Sequence, residues 1–201
     1  PMTILDNAVG GGNGISLVAQ GINGQPQGEI QASIKNVEIN NAISRIIVPG
    51  GADVIVPTTG ISIDSSGNAL VGVDIKDVSI GAPGTAGDRG TQRGIEMNFA
   101  NNGSELINQV AIDDVTIFSN TAIELNTGFD TYTNLLVENS TLRSNGPQSV
   151  GGRADNTPFV GGSTVGIDIN AQGRGVFTGT LNAQLPNMPL EYGFLTQVSD
   201  G

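Results

Sequence analysis

Apolar and polar residues alternate in two short patterns that recur along the chain. The first pattern is a small residue followed by an apolar–polar–apolar run, and its copies occupy residues 14–17, 60–63, 94–97, 122–125 and 166–169. The second runs apolar, polar, Asn or Asp, Val or Ser, polar, apolar, and its copies begin at Ile34, Ile75, Ile112 and Val137, with a degraded fifth copy at Val176. Strict alternation is typical of strands with one buried face. The two patterns follow each other in turn, so the sequence predicts a structural repeat.

Each repeat supplies three short apolar alternations. In the third repeat they are Ile95-Met97, Val110-Ile112 and Val115-Ile117, and the shortest repeat, from Ile112 to Val137, is 25 residues long. Three strands per repeat predict a parallel stack in which each strand lies on its counterpart one repeat away. One inward-facing column should then contain the first residue of every copy of the second pattern. An antiparallel β-sandwich is the alternative.

The third position of the second pattern is a turn slot between two strands. A tight bend at this point needs a residue that tolerates the left-handed region of backbone space, as Asn, Asp and Gly do. We expect this turn ladder to consist of Asn36, Asp77, Asp114 and Asn139, continued in the degraded copy by its fourth residue, Gly179.

The repeat resembles that of right-handed parallel β-helix proteins, which include pectate-lyase-like enzymes, phage tailspikes and autotransporter passengers. The resemblance covers about residues 14–181. It implies an all-β, right-handed parallel β-helix of about five coils, with three short strands per coil. The domain organisation is then an N-terminal segment or cap at 1–13, the β-helix domain at 14–181, and a C-terminal cap or docking tail at 182–201. This scaffold hosts many functions, so the resemblance is specific for fold alone.

Insertions between the two patterns vary greatly in length and cover residues 40–59, 81–93, 118–121 and 143–165. All four occupy the same corner of successive repeats, so the long ones should project as loops from one side, the usual binding surface of a solenoid. Their charged residues could contact an acidic polysaccharide, or could serve solubility and local pairing. These possible ligand-facing residues are Arg45, Asp53, Asp88, Arg89, Arg93, Arg143, Arg153 and Asp155.

Composition excludes several function classes. The chain has 8 basic and 19 acidic residues, a formal net charge of −11, so it lacks the basic patch of a nucleic-acid-binding protein. It has no His and no Cys, which excludes a Ser-His-Asp triad, a thiol nucleophile and an ordinary zinc site. No apolar run reaches the roughly 18 residues of a membrane span. We therefore predict no catalytic residue.

Three outward carboxylates, Glu96, Glu124 and Asp168, each lie two positions after the small residue of the first pattern. In a parallel stack they form a row with a spacing of about 4.8 Å. The pectate lyases that the repeat resembles hold calcium on acidic side chains of this sheet, so the row is a candidate calcium site. Ser16 and Ser62 stand at the equivalent earlier positions, and no other cofactor is expected.

These observations favour a non-catalytic extracellular β-helix module of a cell-surface, adhesin or filament-type assembly. Its expected partners are further copies of itself or neighbouring modules, because both ends of a β-stack expose strand edges. The segment around Ile4 or the apolar cluster from Leu185 to Val198 would supply the contact. The alternative is a polysaccharide-binding or lyase-like β-helix protein that acts on an acidic glycan through the loop face.

Overall fold

A computed structural model describes residues 2–4, 13–22, 28–39, 43–46, 49, 54–57, 59–81, 91–101, 107–128, 131–144, 165–172, 176–184 and 192–199. Every regular element in these ranges is a strand, so the all-β prediction is confirmed. Within the same ranges no helix is long and apolar enough to cross a membrane. The strands are β1 Met2–Ile4, β2 Ile15–Gln20, β3 Glu29–Ile39, β4 Ile43–Ile46, β5 Val54–Pro57, β6 Thr59–Gly67, β7 Leu70–Ile80, β8 Thr91–Asn101, β9 Ile107–Thr127, β10 Tyr132–Ser144, β11 Val165–Gln172, β12 Val176–Gln184 and β13 Tyr192–Ser199.

Eleven of these strands pair in parallel and form two ladders. The first ladder stacks β2, β6, β8, the C-terminal part of β9, β11 and β13. The second ladder stacks β1, β3, β7, the N-terminal part of β9, β10 and β12. The chain passes from one ladder to the other and back, so each strand pairs with its counterpart from the next repeat. The predicted parallel pairing is confirmed, and the arrangement is compatible with a parallel β-helix or a similar fold.

The first residues of the second pattern form one buried column, as the repeat predicts. Ile34 pairs with Ile75, Ile75 with Ile112, and Ile112 with Val137. Ile34 is 7% exposed and the other three are 0% exposed. Full burial of such side chains stabilises the fold by about 1.5–3 kcal/mol each, and all four belong to the buried core cluster.

The fifth member of the column was predicted wrongly. Val176 pairs with Tyr132, and the partner of Val137 is Leu181. The degraded copy has no Asn or Asp in its third position, and its register is set by the alternating residues that end in Leu181. The pattern of apolar residues thus decides the register, because a shift of one residue would exchange the two faces of the strand.

The small residue that opens the first pattern is required by packing between the two ladders. A Cβ atom on Gly60 would come within 2.5 Å of Ile80 Cγ2 and 2.7 Å of the Gly94 carbonyl oxygen. A Cβ atom on Gly94 would clash in the same way with Ile117. Ile80 and Ile117 each end the copy of the second pattern that follows these glycines, so the bulky end of the second pattern fills the space left by the small start of the preceding first pattern.

The insertions contain more strand than the sequence predicted. In 40–59, β4 and β5 form an antiparallel pair, with Arg45 opposite Ile55. Residues 118–121 continue strand β9 without a loop, Arg93 lies inside β8, and Arg143 lies inside β10 opposite Phe118. These three arginines, expected in or beside the loops, lie on strands, because strand pairing extends beyond the alternating apolar residues that the pattern detects. Whether they face a ligand stays a prediction.

Candidate functional site

Five of the predicted ligand-facing residues lie outside the described residues: Asp53, Asp88, Arg89, Arg153 and Asp155. The backbone of Arg45 and of Arg143 is described, in β4 and β10. Arg93 is the member of the set whose side chain is described, and it contacts carboxylates of its own chain. The loop face therefore stays a prediction.

The carboxylates of the first ladder stand in one column, as their spacing predicts. Glu96 and Glu124 are direct partners across β8 and β9, and Glu124 and Asp168 are partners across β9 and β11. The Arg93 guanidinium reaches this column from the start of β8: its Nε donates a short hydrogen bond to Glu124 and lies 3.7 Å from Glu96 Oε1. Thr59 Oγ1 donates to Glu96 Oε2 at 2.7 Å. We name Arg93, Glu96, Glu124 and Asp168 the acid column.

Charge is unevenly balanced along the acid column. Burial alone would lower the pKa of Arg93, but the hydrogen bond to Glu124 and the charge of that carboxylate outweigh it and raise the pKa. Burial and, next, the charge of Glu124 raise the pKa of Asp168, although a hydrogen bond with Asn170 and the charge of Arg93 act in the opposite direction. Asp168 Oδ1 is buried without a hydrogen-bond partner among the described residues. The Arg93 guanidinium thus offsets the negative charges of Glu96 and Glu124, whereas it offsets the charge of Asp168 less.

The Arg93 guanidinium contacts two of the three carboxylates of the candidate calcium site. Arg93 brings its positive charge to Glu96 and Glu124, where a bound ion would have to approach both carboxylates. Within the described ranges no three acidic side chains are grouped so that they could hold a metal ion. Glu96 and Glu124 are therefore arranged for an ion pair with Arg93, and the calcium site stays a prediction.

A ladder of side-chain amides runs beside the acid column. Asn98 Nδ2 donates to Asp64 Oδ1 at 2.8 Å, Asn126 Nδ2 to Asn98 Oδ1 at 2.8 Å, and Asn170 Nδ2 to Asn126 Oδ1 at 3.0 Å. Asn126 Nδ2 also donates to Glu124 Oε1 at 3.0 Å, which joins the ladder to the acid column. Sequence reasoning missed this amide ladder. Its signal was available, because each member lies four positions after the small residue of a first-pattern copy.

The turn slot has the backbone geometry that its residue types require. Asn36, Asp77, Asp114 and Asn139 have φ angles of 54°, 53°, 55° and 49°, inside the left-handed region. Gly179 does not belong to this set, since it pairs with Leu135 and not with Asn139. The pairing of β10 with β12 skips Asn139, because Glu138 pairs with Asn182 and Ser140 with Ala183. The fifth repeat therefore lacks a counterpart of the slot.

A chain of polar contacts crosses three repeats next to the turn slot. Lys76 Nζ lies 2.7 Å from Asp113 Oδ2, and Asn139 Nδ2 donates to Asp113 Oδ1 at 2.8 Å. The hydrogen bond from Lys76 is the main cause that lowers the pKa of Asp113, followed by the bond from Asn139. The same bond to Asp113 raises the pKa of Lys76. These groups bind each other along the stack and are not held ready for a ligand.

Two buried polar side chains also link neighbouring repeats. Asn108 is 0% exposed, accepts a hydrogen bond from Val71 N at 3.2 Å, and donates one to the Tyr132 carbonyl at 3.3 Å. Ser140 Oγ is likewise buried, accepts from Val115 N at 3.2 Å and donates to the Glu138 carbonyl at 2.7 Å. A buried polar group is tolerated when it is hydrogen-bonded, and here each side chain has at least one partner in an adjacent repeat, namely Val71 and Tyr132 for Asn108 and Val115 for Ser140. Both residues thus hold the stack together from inside.

Comparisons of the chain with protein-family models, with curated proteins and with solved structures found no match.

Proposed function

We propose that the chain forms a right-handed parallel β-helix of about five coils and serves as a non-catalytic module of a cell-surface, adhesin or filament-type assembly. One observation carries the proposal: polar side chains on the outer faces bind one another along the stacking direction. This holds for the acid column, the amide ladder and the Lys76–Asp113–Asn139 chain. The extracellular location rests on the resemblance of the repeat to surface β-helices.

Axial pairing of this kind suits a stiff rod. Each contact joins residues of neighbouring repeats, such as Arg93 to Glu124 and Asn126 to Asn98, so it adds to the backbone ladder and to the buried core column. A catalytic acid, base or nucleophile must instead meet a substrate atom within hydrogen-bond reach. Side chains that already satisfy each other from coil to coil contribute to stiffness and offer little for such chemistry.

The test is an assay of the purified full chain against acidic polysaccharides, namely polygalacturonate and alginate, with and without calcium. We expect neither a rise in ultraviolet absorbance from unsaturated uronates nor heat of binding in titration calorimetry. A calcium-dependent absorbance rise, or saturable binding, would contradict the proposal and favour the alternative, an acidic-glycan-binding or lyase-like protein. In that case Arg89→Gln and Arg153→Gln should weaken binding, whereas Lys35→Gln, in strand β3 and outside the insertions, should not.

A further inference from the structure

A pocket lies beside the amide ladder, where strands β8 and β9 end; we name it the amide pocket. Its volume is about 200 Å³, and it is lined by Asn98, Phe99, Ala100, Asn126, Thr127, Gly128 and Asn170. Pockets that hold a drug-sized ligand usually measure roughly 300–1,000 Å³. The amide pocket is smaller, so it has room for a single small ring and not for a longer ligand.

The amide pocket is uncharged, although the protein has a formal net charge of −11. None of the seven lining residues is charged, and the nearest link to the acid column is Asn126, whose Nδ2 donates to Glu124 Oε1 at 3.0 Å. An anion would be repelled by this neighbouring carboxylate. A cation would lose its hydration without gaining a carboxylate in the pocket lining. The distribution of charge therefore favours an uncharged ligand.

The amides of the pocket have more acceptor than donor capacity left. Asn126 Nδ2 uses both of its N–H groups, on Asn98 Oδ1 and on Glu124 Oε1. The carbonyl oxygens of Asn98 and Asn126 each accept one bond within the amide ladder, whereas a carbonyl oxygen has two lone pairs. Each of these oxygens can accept one further hydrogen bond, and the hydroxyl groups of an uncharged ligand can donate it.

Thr127 adds a buried hydroxyl to the lining of the same pocket. Its side chain is 2% exposed, and Thr127 Oγ1 has no hydrogen-bond partner among the described residues. A buried polar group without a partner is unfavourable and rare in native proteins. A ligand hydroxyl in the amide pocket would supply the missing bond, whereas an apolar ligand would bury the amide oxygens and the Thr127 hydroxyl unpaired.

The rest of the lining is apolar and is kept open by a glycine. Gly128 N donates to the Phe99 carbonyl at 2.8 Å, which holds the ends of the two strands together. A Cβ atom on Gly128 would lie 3.5 Å from Ala100 Cα and 3.8 Å from Ala100 Cβ, so it would occupy space beside Ala100 that the glycine leaves open. The pocket thus combines an apolar surface with hydrogen-bond acceptors, and a sugar ring has C–H groups for the first and hydroxyl groups for the second.

We infer that the amide pocket binds one uncharged sugar ring; the inference rests on the proposed function, for which it names a ligand. Hydroxyl groups of the ring donate to the remaining lone pairs of the Asn98 and Asn126 carbonyl oxygens. A further hydroxyl pairs with Thr127 Oγ1, and the C–H groups of the ring lie against Ala100. The ligand is a single neutral ring, in contrast to the acidic polysaccharides of the alternative function.

The test is a titration of the full chain with glucose, galactose and mannose, followed by saturation-transfer NMR. Glucuronate, which has a carboxylate in place of the hydroxymethyl group of glucose, is the charged counterpart. We expect saturable binding of at least one uncharged sugar, with a dissociation constant on the order of 1 mM for so small a ligand. Absence of saturation with all three sugars, or tightest binding by glucuronate, would overturn the inference.

Thr127→Val and Thr133→Val are a matched pair of variants for the same titration. Each removes a buried hydroxyl that has no partner among the described residues, but only Thr127 of the two lines the pocket. We expect Thr127→Val to weaken sugar binding about two- to tenfold, the effect of one hydrogen bond, without a loss of stability in urea unfolding. Thr133→Val should bind sugar as wild type does. Equal weakening by both variants, or by neither, would contradict the site.

Gly128→Ala covers a Thr127→Val chain that fails to fold by circular dichroism. The added Cβ meets Ala100 at ordinary contact distance, and the φ of Gly128 is not in the left-handed region, so this variant should fold. It should weaken sugar binding because it narrows the pocket, and an unchanged affinity would refute the site. The polysaccharide assay tests the proposed function separately. A chain that binds no sugar and is inactive on acidic polysaccharides fails this inference alone, whereas a calcium-dependent absorbance rise contradicts the proposed function.

Discussion

Replacing Asn108 by Ala tests how much one buried amide, which bridges three repeats, contributes to the free energy of unfolding. The side chain is 0% exposed and bridges the Val71 N–H to the Tyr132 carbonyl. Ala removes both hydrogen bonds, at a cost of about 1–3 kcal/mol for the buried Val71 N–H and about 0.5–1.5 kcal/mol for the partly buried Tyr132 carbonyl. We therefore expect the free energy of unfolding to fall by about 1.5–4.5 kcal/mol, a large part of the roughly 5–15 kcal/mol of a typical domain.

Urea unfolding followed by far-ultraviolet circular dichroism measures this change, provided that the slope with denaturant stays constant. Asn134→Ala is the matched control, because Asn134 is an exposed residue of the adjacent strand β10. This substitution should change the free energy of unfolding by no more than about 0.5 kcal/mol. A loss below about 1 kcal/mol for Asn108→Ala, or equal losses at both sites, would refute the bridging role.

Asn108→Asp separates the two hydrogen bonds of the bridge. The carboxylate can still accept from Val71 N, but it loses the donor to Tyr132 and buries a charge. Burial raises the pKa of a carboxyl group in the folded state. Stability of this variant should therefore increase as the pH falls through the raised pKa, because the folded state then binds the proton more tightly than the unfolded state. A variant whose stability falls in this range would contradict the burial of this site.

Two further substitutions address the turn slot and the acid column. Asn139→Ala should lower stability by roughly 1–2 kcal/mol in urea unfolding, because Ala is strained at φ 49° and the bond to Asp113 is lost, whereas Asn139→Gly should lose less; equal losses would contradict the left-handed slot. Asp168→Asn should raise the melting temperature at neutral pH, since burial and Glu124 raise the pKa of this carboxyl and so disfavour its charged form in the folded state. That gain should shrink as the pH falls through the raised pKa and vanish below the unfolded-state pKa. The exposed Asp114→Asn is the control, and a lower melting temperature for Asp168→Asn would refute the electrostatic argument.

The sequence predicted the parts of the fold that depend on local pattern. Alternation located the strands, and the repeat of Ile34, Ile75, Ile112 and Val137 predicted their register, since each apolar face must be buried. The pattern failed at Val176, where the motif is degraded and the alternation up to Leu181 sets the register. Where the repeat motif is degraded, the motif no longer predicts the register of the strand.

The role of Arg93 could not be predicted from the pattern. Its partner Glu124 is 31 residues away, and the two meet only because β8 pairs with β9 one repeat later. The sequence placed Arg93 at the end of an insertion and offered it as a ligand-binding residue. A charge on an outward position looks the same in sequence whether it faces a ligand or an opposite charge in the next repeat.

Disulfide formation between Gln109→Cys and Asn134→Cys tests the parallel stacking most directly. Both residues are exposed and are register partners in β9 and β10, so their Cα atoms should lie about 4.8 Å apart, within disulfide reach. The control pair, Ile107→Cys with Asn134→Cys, is two residues out of register and about 8 Å apart, too far for a bond. The stacking predicts rapid oxidation of the first pair within the monomer and little of the second. Equal yields, or a higher yield for the control, would contradict it.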